Sequence, residues 1–343
     1  MDATPTITET LRQYGPGRCD RLTPEQARRW CRALAHGHYE NFSVLSPLVP
    51  RELTDDFAAV YAFCRWADDL GDEGGEPAER LELLSWWRDE LHLCFAGEPR
   101  HPVFVALADT VQRHALPIEP FDNLIAAFEQ DQSVARYETW EQVLDYCRRS
   151  ADPVGRLVLM LLGEPRTDDM FGRSDRICTA LQLTNHWQDI ARDKLERDRI
   201  YVPQDMNGIE DFERRLETSA RQGWACDRSF LAESRAVVRT LVERTWPLFD
   251  EGATLLPLLQ PRSRPVVWLF YAGGTHILRS IEAWNYETVI HRPRLGAVTK
   301  LGLVARAWVQ TRFARRATGS KRPQAPGSDP KPLSTSMAGG DAA

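Results

Sequence analysis

The chain has 343 residues, 43% of them hydrophobic, and a formal net charge of −6 at pH 7. This apolar content suffices for a packed core, and the acidic balance gives no reason to expect a nucleic-acid partner. The seven cysteines form no CxxC pair, so we expect reduced thiols in a cytoplasmic protein and neither a disulfide framework nor a zinc site. No signal-peptide pattern opens the sequence, and its longest apolar run is too short to span a bilayer.

Proline and glycine divide the chain into helical patterns. Residues 1–22 contain several of both and are predicted to form a loose arm. The first helix is predicted to begin after Thr23, whose hydroxyl suits the N-cap position, and to end near His38. Further helices are predicted from near 51–54 and over 77–95, 103–114, 118–136, 140–149, 154–162, 175–193, 212–216, 226–259, 266–286 and 295–316. Alternating strand patterns are scarce, so we predict one all-α domain of roughly ten helices over 23–316, followed by a disordered tail over 317–343.

The first of two acidic stretches lies in the predicted helix after residue 54. Four polar side chains recur there at spacings of four, three and four residues: Tyr61, Arg65, Asp68 and Asp72. Residues so spaced share one face of a helix. Large apolar residues flank the stripe, so we predict that it faces a protected cavity. Whether Asp69 and Glu73 take part is left open.

The second acidic stretch repeats this design at spacings of three, four and four residues: Gln182, Asn185, Asp189 and Asp193. Aspartates four residues apart are common by chance, and the alternative for each stripe is a solvated helix face. Two such stripes, both flanked by apolar residues, favour a binding site over two solvated helix faces. Carboxylate and amide oxygens suit Mg²⁺, which fills its remaining positions with water and phosphate oxygens. The sequence therefore predicts a helical protein that binds a phosphate or diphosphate through Mg²⁺.

Other polar residues leave two interpretations open. Tyr146 lies in a short predicted helix, where it either faces the cavity or is buried with an ordinary hydrogen bond. Lys194, Arg199 and Tyr201 follow the second stripe directly. The two cations could contact diphosphate oxygens by charge-assisted hydrogen bonds, or they could belong to a solvent-exposed cluster with the acidic residues between them.

These stretches resemble a known family. Residues 61–73 are similar to the first aspartate-rich motif of the squalene/phytoene synthase family, and residues 181–193 are similar to the second. The segments 199–203 and 281–286, with arginines at 292 and 294, also fit, and the resemblance covers about residues 25–300. Residues 41–46 and 185–189 resemble the HpnC branch of bacterial hopanoid biosynthesis. Many family members have arginine where this chain has Gln188, a departure that fits the branch and weakens any assignment of the complete squalene or phytoene synthase reaction.

The resemblance implies an all-α isoprenoid synthase bundle with a central cavity. It implies that Mg²⁺, and through it a prenyl diphosphate, is bound by Asp68, Asp72, Asn185, Asp189 and Asp193. It implies diphosphate contacts from Arg65, Lys194, Arg199 and Arg292. It also implies catalytic roles for Tyr61, Tyr146 and Tyr286, whose rings stabilise cations or whose hydroxyls position a water.

For the HpnC branch, the implied reaction converts presqualene diphosphate to hydroxysqualene by loss of diphosphate, carbocation rearrangement and water capture. A companion enzyme would make the substrate from two farnesyl diphosphates. The nearest alternative is a synthase of the presqualene diphosphate or phytoene type, which condenses two prenyl diphosphates such as farnesyl diphosphate. A non-catalytic helical assembly factor ranks lower because all four motif aspartates are present, and a plain metal or diphosphate binder also remains an alternative.

The last predicted helix combines basic with apolar residues: Lys300, Arg306, Arg312, Arg315 and Arg316 with Leu301, Leu303, Val304 and Trp308. One hypothesis is that this segment binds anionic lipid peripherally, at the inner face of the membrane. The alternative is an ordinary bundle helix with a basic outer face.

Overall fold

The computed structural model describes residues 7–18, 22–37 and 47–318, with side chains up to residue 309, and these residues form thirteen α-helices and no β-strand. The helices are α1 (Ile7–Tyr14), α2 (Pro24–Gly37), α3 (Thr54–Glu73), α4 (Pro77–Phe95), α5 (Pro102–His114), α6 (Glu119–Gln130), α7 (Trp140–Ser150), α8 (Asp152–Leu161), α9 (Asp168–Arg197), α10 (Phe212–Gln222), α11 (Arg228–Ala253), α12 (Arg264–Ala283) and α13 (Ala297–Thr318). The predicted all-α class is confirmed, with more helices than the ten or so expected.

Local capping signals account for several helix starts. Thr23 Oγ1 accepts a hydrogen bond from the Gln26 amide at 3.3 Å, and Gln26 Oε1 accepts one from the Thr23 amide at 2.8 Å. This reciprocal pair satisfies two backbone donors at the start of α2. His101 caps α5 through Nδ1, which accepts from the Val103 amide at 3.2 Å. The predicted starts of these two helices agree with the structure to within a residue.

Several helices differ in length from the predictions, among them the one predicted over 226–259, which ends at Ala253. The helix predicted over 118–136 ends at Gln130, because the backbone beyond it pairs elsewhere: the Ile200 amide donates to the Ala135 carbonyl at 2.9 Å. The helix predicted over 175–193 is longer, since α9 runs from Asp168 to Arg197. Thr167 caps its start, and it ends where the next residue adopts a left-handed φ of 51°.

The two chain ends also differ from the predictions. The predicted loose arm over 1–22 contains α1, whose residues Ile7 and Tyr14 are buried. The Tyr14 ring meets Trp30 edge-on at 5.7 Å, so α1 packs on the bundle. The predicted tail over 317–343 begins inside α13, and its remainder, 319–343, lies outside the described residues, as does the family-like segment 41–46.

Helices α3 and α9 occupy the centres of two groups of helices. α3 packs against α2, α4, α5 and α6, and α9 packs against α7, α8, α10, α11 and α12. Their apolar faces are anchored by fully buried aromatic side chains, among them Trp66 on α3 and Trp187 on α9. The polar stripes of both helices are thereby left to face a shared cavity. Within the described part of the chain, no helix combines the length and the apolar character needed to cross a lipid bilayer.

Candidate active site

A cavity of about 1060 Å³ lies between the polar stripes of α3 and α9. All five predicted metal ligands line it: Asp68, Asp72, Asn185, Asp189 and Asp193. Four further predicted residues also line it: Arg65, Tyr146, Arg199 and Arg292. Helical periodicity thus placed both acidic stripes on the correct faces, and the fold brings these faces together.

Arginines contact the motif aspartates directly. Asp72 accepts hydrogen bonds from Arg197 Nε at 2.7 Å and from Arg199 Nη1 at 3.0 Å. Arg292 binds the carboxylate of Asp189 in a bidentate manner, with Nη2 at 2.8 Å from Oδ2 and Nε on the other oxygen. Such paired contacts give both geometric definition and strength. The same guanidinium groups could instead contact the oxygens of a bound diphosphate.

Two of the aspartates are crowded by negative charge. Burial, and then the neighbouring Asp189, raises the pKa of Asp193 to about 7. Partial desolvation, and then the charge of Asp72, also raises the pKa of Asp68. Because 41% of the Asp68 side chain is exposed to the cavity, water screens part of its repulsion from Asp72. A bound cation would relieve the repulsion in both pairs.

The donor set suits a Mg²⁺ ion that is bound together with substrate. The four motif aspartates and Asn185 supply oxygen donors only, which Mg²⁺ prefers. Among the described residues, no three acidic, histidine or cysteine side chains stand close enough to hold a metal ion by themselves. An ion here would therefore take few protein oxygens and complete its shell with water and phosphate oxygens, as Mg²⁺ commonly does.

An aromatic wall borders the acidic part of the cavity. Tyr146 donates a hydrogen bond from its hydroxyl to Asp131 Oδ2 at 2.8 Å, and its ring lies 5.5 Å from that of Tyr201. His186 stacks on Tyr201 with the ring centroids 3.7 Å apart. Burial lowers the pKa of His186 to about 3, so its ring is neutral. In the described structure, His186 Nε2 is buried and has no hydrogen-bond partner.

Three predicted site residues lie elsewhere. Lys194 does not line the cavity: its ammonium contacts Asp198 and Glu213, because it is turned by about 100° around α9 from Asp193. Tyr286 is also outside, and its ring is covered by the Arg239 guanidinium at 4.9 Å from the ring centroid. Tyr61 is buried one helical turn before Arg65 and does not reach the cavity lining.

Several cavity residues were not predicted. Arg197 follows Asp193 by four residues, so continuing the helical stripe by one more turn would have found it. His186 lies inside the second acidic stretch but off its stripe. Asp131 is buried at the end of α6, and burial raises its pKa to about 7. No local spacing signals Asp131, because its contacts with Tyr146 and Arg199 come from other segments of the chain.

Gln188 connects α9 to the segment that carries Arg292. Its side chain is buried, and Nε2 donates a hydrogen bond to the carbonyl oxygen of Pro293. A neutral amide can be buried here without an ionic partner, whereas an arginine could not. Gln188, the residue that departs from the pattern of many family members, thus attaches the segment of Arg292 to α9 beside Asp189.

Two known enzymes are similar to this chain over half or more of its length. Hydroxysqualene synthase from Zymomonas mobilis is 40% identical over 176 residues, which are 50% of this chain and 57% of that protein, so the match spans little more than half of the relative's length. Phytoene synthase from Arthrospira platensis is 30% identical over 274 residues, which are 76% of this chain and 86% of that protein.

A solved structure and a family model extend the comparison. The crystal structure of squalene synthase HpnC from Alicyclobacillus acidocaldarius has a TM-score of 0.66 and 42% identity to this chain, with 77% of this chain and 96% of that chain covered. The predicted isoprenoid synthase fold and the HpnC-type resemblance are both confirmed. The family model for squalene/phytoene synthase matches residues 35–299. The chain therefore belongs to the squalene/phytoene synthase family.

Proposed function

We propose that the protein converts presqualene diphosphate to hydroxysqualene in a Mg²⁺-dependent reaction. The main support for this proposal is the cavity. Motif aspartates of α3 and α9 line it together with arginines of α3, of α9 and of the segment before α13. The similarity to hydroxysqualene synthase and to the HpnC structure supports the choice of substrate within the family. The overall change needs no reductant: the carbon–oxygen bond to diphosphate breaks with its electron pair, the cation rearranges, and water adds with loss of a proton.

The arginines at the cavity would hold the diphosphate. Arg197 and Arg199 meet at Asp72, and Arg292 meets Asp189, so cations stand beside both acidic stripes. In the described structure, six arginines and six acidic residues line the cavity, which suits a ligand that brings both anionic oxygens and divalent cations. Bound Mg²⁺ would neutralise negative charge on the departing diphosphate.

The rest of the cavity would shelter the cationic hydrocarbon. Phe128, Phe270 and the rings of Tyr146 and Tyr201 line it and offer apolar and π-electron surfaces to a carbocation. His186 Nε2 and Ser150 Oγ are buried polar atoms of cavity-lining residues, and neither has a hydrogen-bond partner in the described structure. Either could bind the water that captures the cation.

The second candidate is a synthase that condenses two prenyl diphosphates. The phytoene synthase similarity, which covers more of the relative's length than the hydroxysqualene synthase match, favours this alternative. Both reactions would use the same aspartates and arginines. They differ in the substrate that the cavity accepts.

Separate incubations with presqualene diphosphate and farnesyl diphosphate distinguish the candidates. Purified protein and Mg²⁺ are used without a nicotinamide cofactor, and the products are identified by mass spectrometry. Hydroxysqualene from presqualene diphosphate alone is the expected result. Presqualene diphosphate or a phytoene-like product from prenyl diphosphates would instead assign the protein to the condensing branch.

A further inference from the structure

The outer face of α13 carries an exposed apolar stripe. Val298 is 86% exposed and Leu301 is 71% exposed, and Trp308 and Val309 are also exposed. Leu301 follows Val298 by three residues, and Trp308 and Val309 follow Leu301 by seven and eight residues. These intervals place the four residues on one face of the helix. We call this set, Val298, Leu301, Trp308 and Val309, the α13 stripe. Exposed apolar residues grouped in this way are typical of interaction surfaces.

The stripe is not needed to hold α13 on the protein. α13 packs against α12, and Ala307, on the opposite side of the helix, is fully buried. Leu303 and Val304, which the sequence grouped with the exposed apolar residues, are only half-buried and lie off the stripe. The bundle therefore uses the Ala307 face of α13, while Val298 and Leu301 remain largely exposed in the described structure.

The stretch of sequence that contains the stripe has only basic charged residues. Nine lysines and arginines and no acidic residue lie between residues 288 and 328, although the chain as a whole carries a net charge of −6. In the sequence, Lys300 and Arg306 lie within the span of the stripe, and three further arginines follow it at positions 312, 315 and 316. A narrow apolar strip beside basic residues is typical of helices that lie in the interface of an anionic membrane.

α13 also begins close to the cavity. Arg292 binds Asp189 and Arg294 lines the cavity, and α13 starts three residues later at Ala297. Leu195, another cavity-lining residue, is 38% exposed. A surface that binds the start of α13 would therefore lie close to the cavity.

We propose that the α13 stripe binds the surface of an anionic lipid bilayer. The apolar side chains would enter the boundary between head groups and acyl chains, and the basic residues would face the anionic head groups. A second copy of this chain is the less suitable occupant, because two such faces would bring their basic residues together. The proposal concerns lipid binding without substrate and does not depend on the proposed reaction.

Vesicle co-sedimentation of the full chain tests this proposal. The vesicles contain phosphatidylcholine alone or with phosphatidylglycerol. The unmodified protein is expected to bind only the anionic vesicles, and more weakly as salt is raised. The double variant Val298→Ser/Leu301→Ser removes apolar contact without adding charge and is expected to lower the partition coefficient about tenfold or more. The matched control Trp224→Ser/Leu258→Ser changes two exposed apolar residues elsewhere, 69% and 51% exposed, and is expected to bind normally.

Circular dichroism checks that each variant keeps its helical content. Equal binding to both vesicle types, or unchanged binding of the stripe variant, overturns the proposal. So does equal loss in the control, which would indicate non-specific apolar adsorption. A dimer that only the stripe variant dissociates would assign the face to a second copy of the chain and likewise overturn it.

Discussion

Arg197 donates a hydrogen bond from Nε to Oδ2 of Asp72 at 2.7 Å. The two residues stand at the C-terminal ends of α9 and α3, 125 positions apart in sequence. Arg199 donates to the other oxygen of the same carboxylate at 3.0 Å. One aspartate thus joins the two helices that carry the acidic stripes, and it does so at the edge of the cavity.

Removing Arg197 should weaken substrate binding. Arg197→Ala takes away a cation that would contact the diphosphate and leaves Asp72 with one arginine partner. We expect KM for presqualene diphosphate to rise by roughly tenfold to a hundredfold, the effect of losing a hydrogen bond to a charged group. Steady-state kinetics measure it, with Arg221→Ala as the control because Arg221, among the described residues, forms its ion pair with Glu217 on α10. Equal KM values in the two variants would remove Arg197 from the site.

Truncating a motif aspartate should abolish turnover. Asp68→Ala and Asp189→Ala each remove oxygen donors from the cavity, and we expect kcat to fall by at least roughly 10²- to 10³-fold. The helical circular dichroism spectrum should be unchanged, since both side chains face the cavity. Asp169→Ala is the control on the surface of α9, where Asp169 pairs with Arg173. Near-native activity of either site variant at ordinary Mg²⁺ concentration would show that its carboxylate is dispensable.

Gln188 should act through Arg292. Gln188→Ala removes the donor to the Pro293 carbonyl oxygen and should lower the free energy of unfolding by about 1–3 kcal/mol. It should also raise KM, because the segment that positions Arg292 against Asp189 loses its attachment to α9. The double variant with Arg292→Ala separates this effect from simple destabilisation. We expect its KM to match that of Arg292→Ala alone, and fully additive losses would contradict the coupling.

Asp152 should make stability depend on pH. It is buried, accepts a hydrogen bond from Thr179 Oγ1 at 2.8 Å, and has its pKa raised from 3.8 to about 7 by burial and then by Asp175. Between these pH values the folded protein keeps a proton that the unfolded chain has released. The stability due to the protonated acid is therefore complete below about pH 4 and lost as the pH rises through 7.

Asp152→Asn tests this dependence because asparagine is neutral and still accepts from Thr179. The melting temperature of the variant minus that of the unmodified protein should increase from pH 5 to pH 8. Over this pH range the corresponding change in the free energy of unfolding is up to roughly 3 kcal/mol. Turnover should be unaffected, since Asp152 does not line the candidate active site. A difference in melting temperature that stays constant across this range would contradict the assignment.

Local periodicity explains which site residues the sequence could predict. Asp68 and Asp72, like Asp189 and Asp193, lie one turn apart on one helix, so their shared face follows from their spacing. Lys194 shows the limit of this reasoning, because an adjacent residue in a helix points about 100° away. Tyr286 illustrates a second limit: its position depends on the turn after α12 and on Arg239 from another helix.

The fold shows the same division between local and tertiary causes. The starts of α2 and α5 follow from capping residues next to them in sequence. The early end of α6 depends on backbone pairing of Ala135 with Ile200, which is distant in sequence. The burial of Tyr14 against Trp30 similarly requires the assembled bundle. Contacts of this kind leave no periodic signal in a single sequence.

We propose that this protein ionises presqualene diphosphate and captures the resulting cation with water. Mass spectrometry of the product formed in water labelled with oxygen-18, with Mg²⁺ and no nicotinamide cofactor, tests it most directly. We expect hydroxysqualene that carries one oxygen-18 atom, because its hydroxyl would come from solvent. Hydroxysqualene without the label would exclude water capture, and the absence of any product from presqualene diphosphate would contradict the proposed reaction itself.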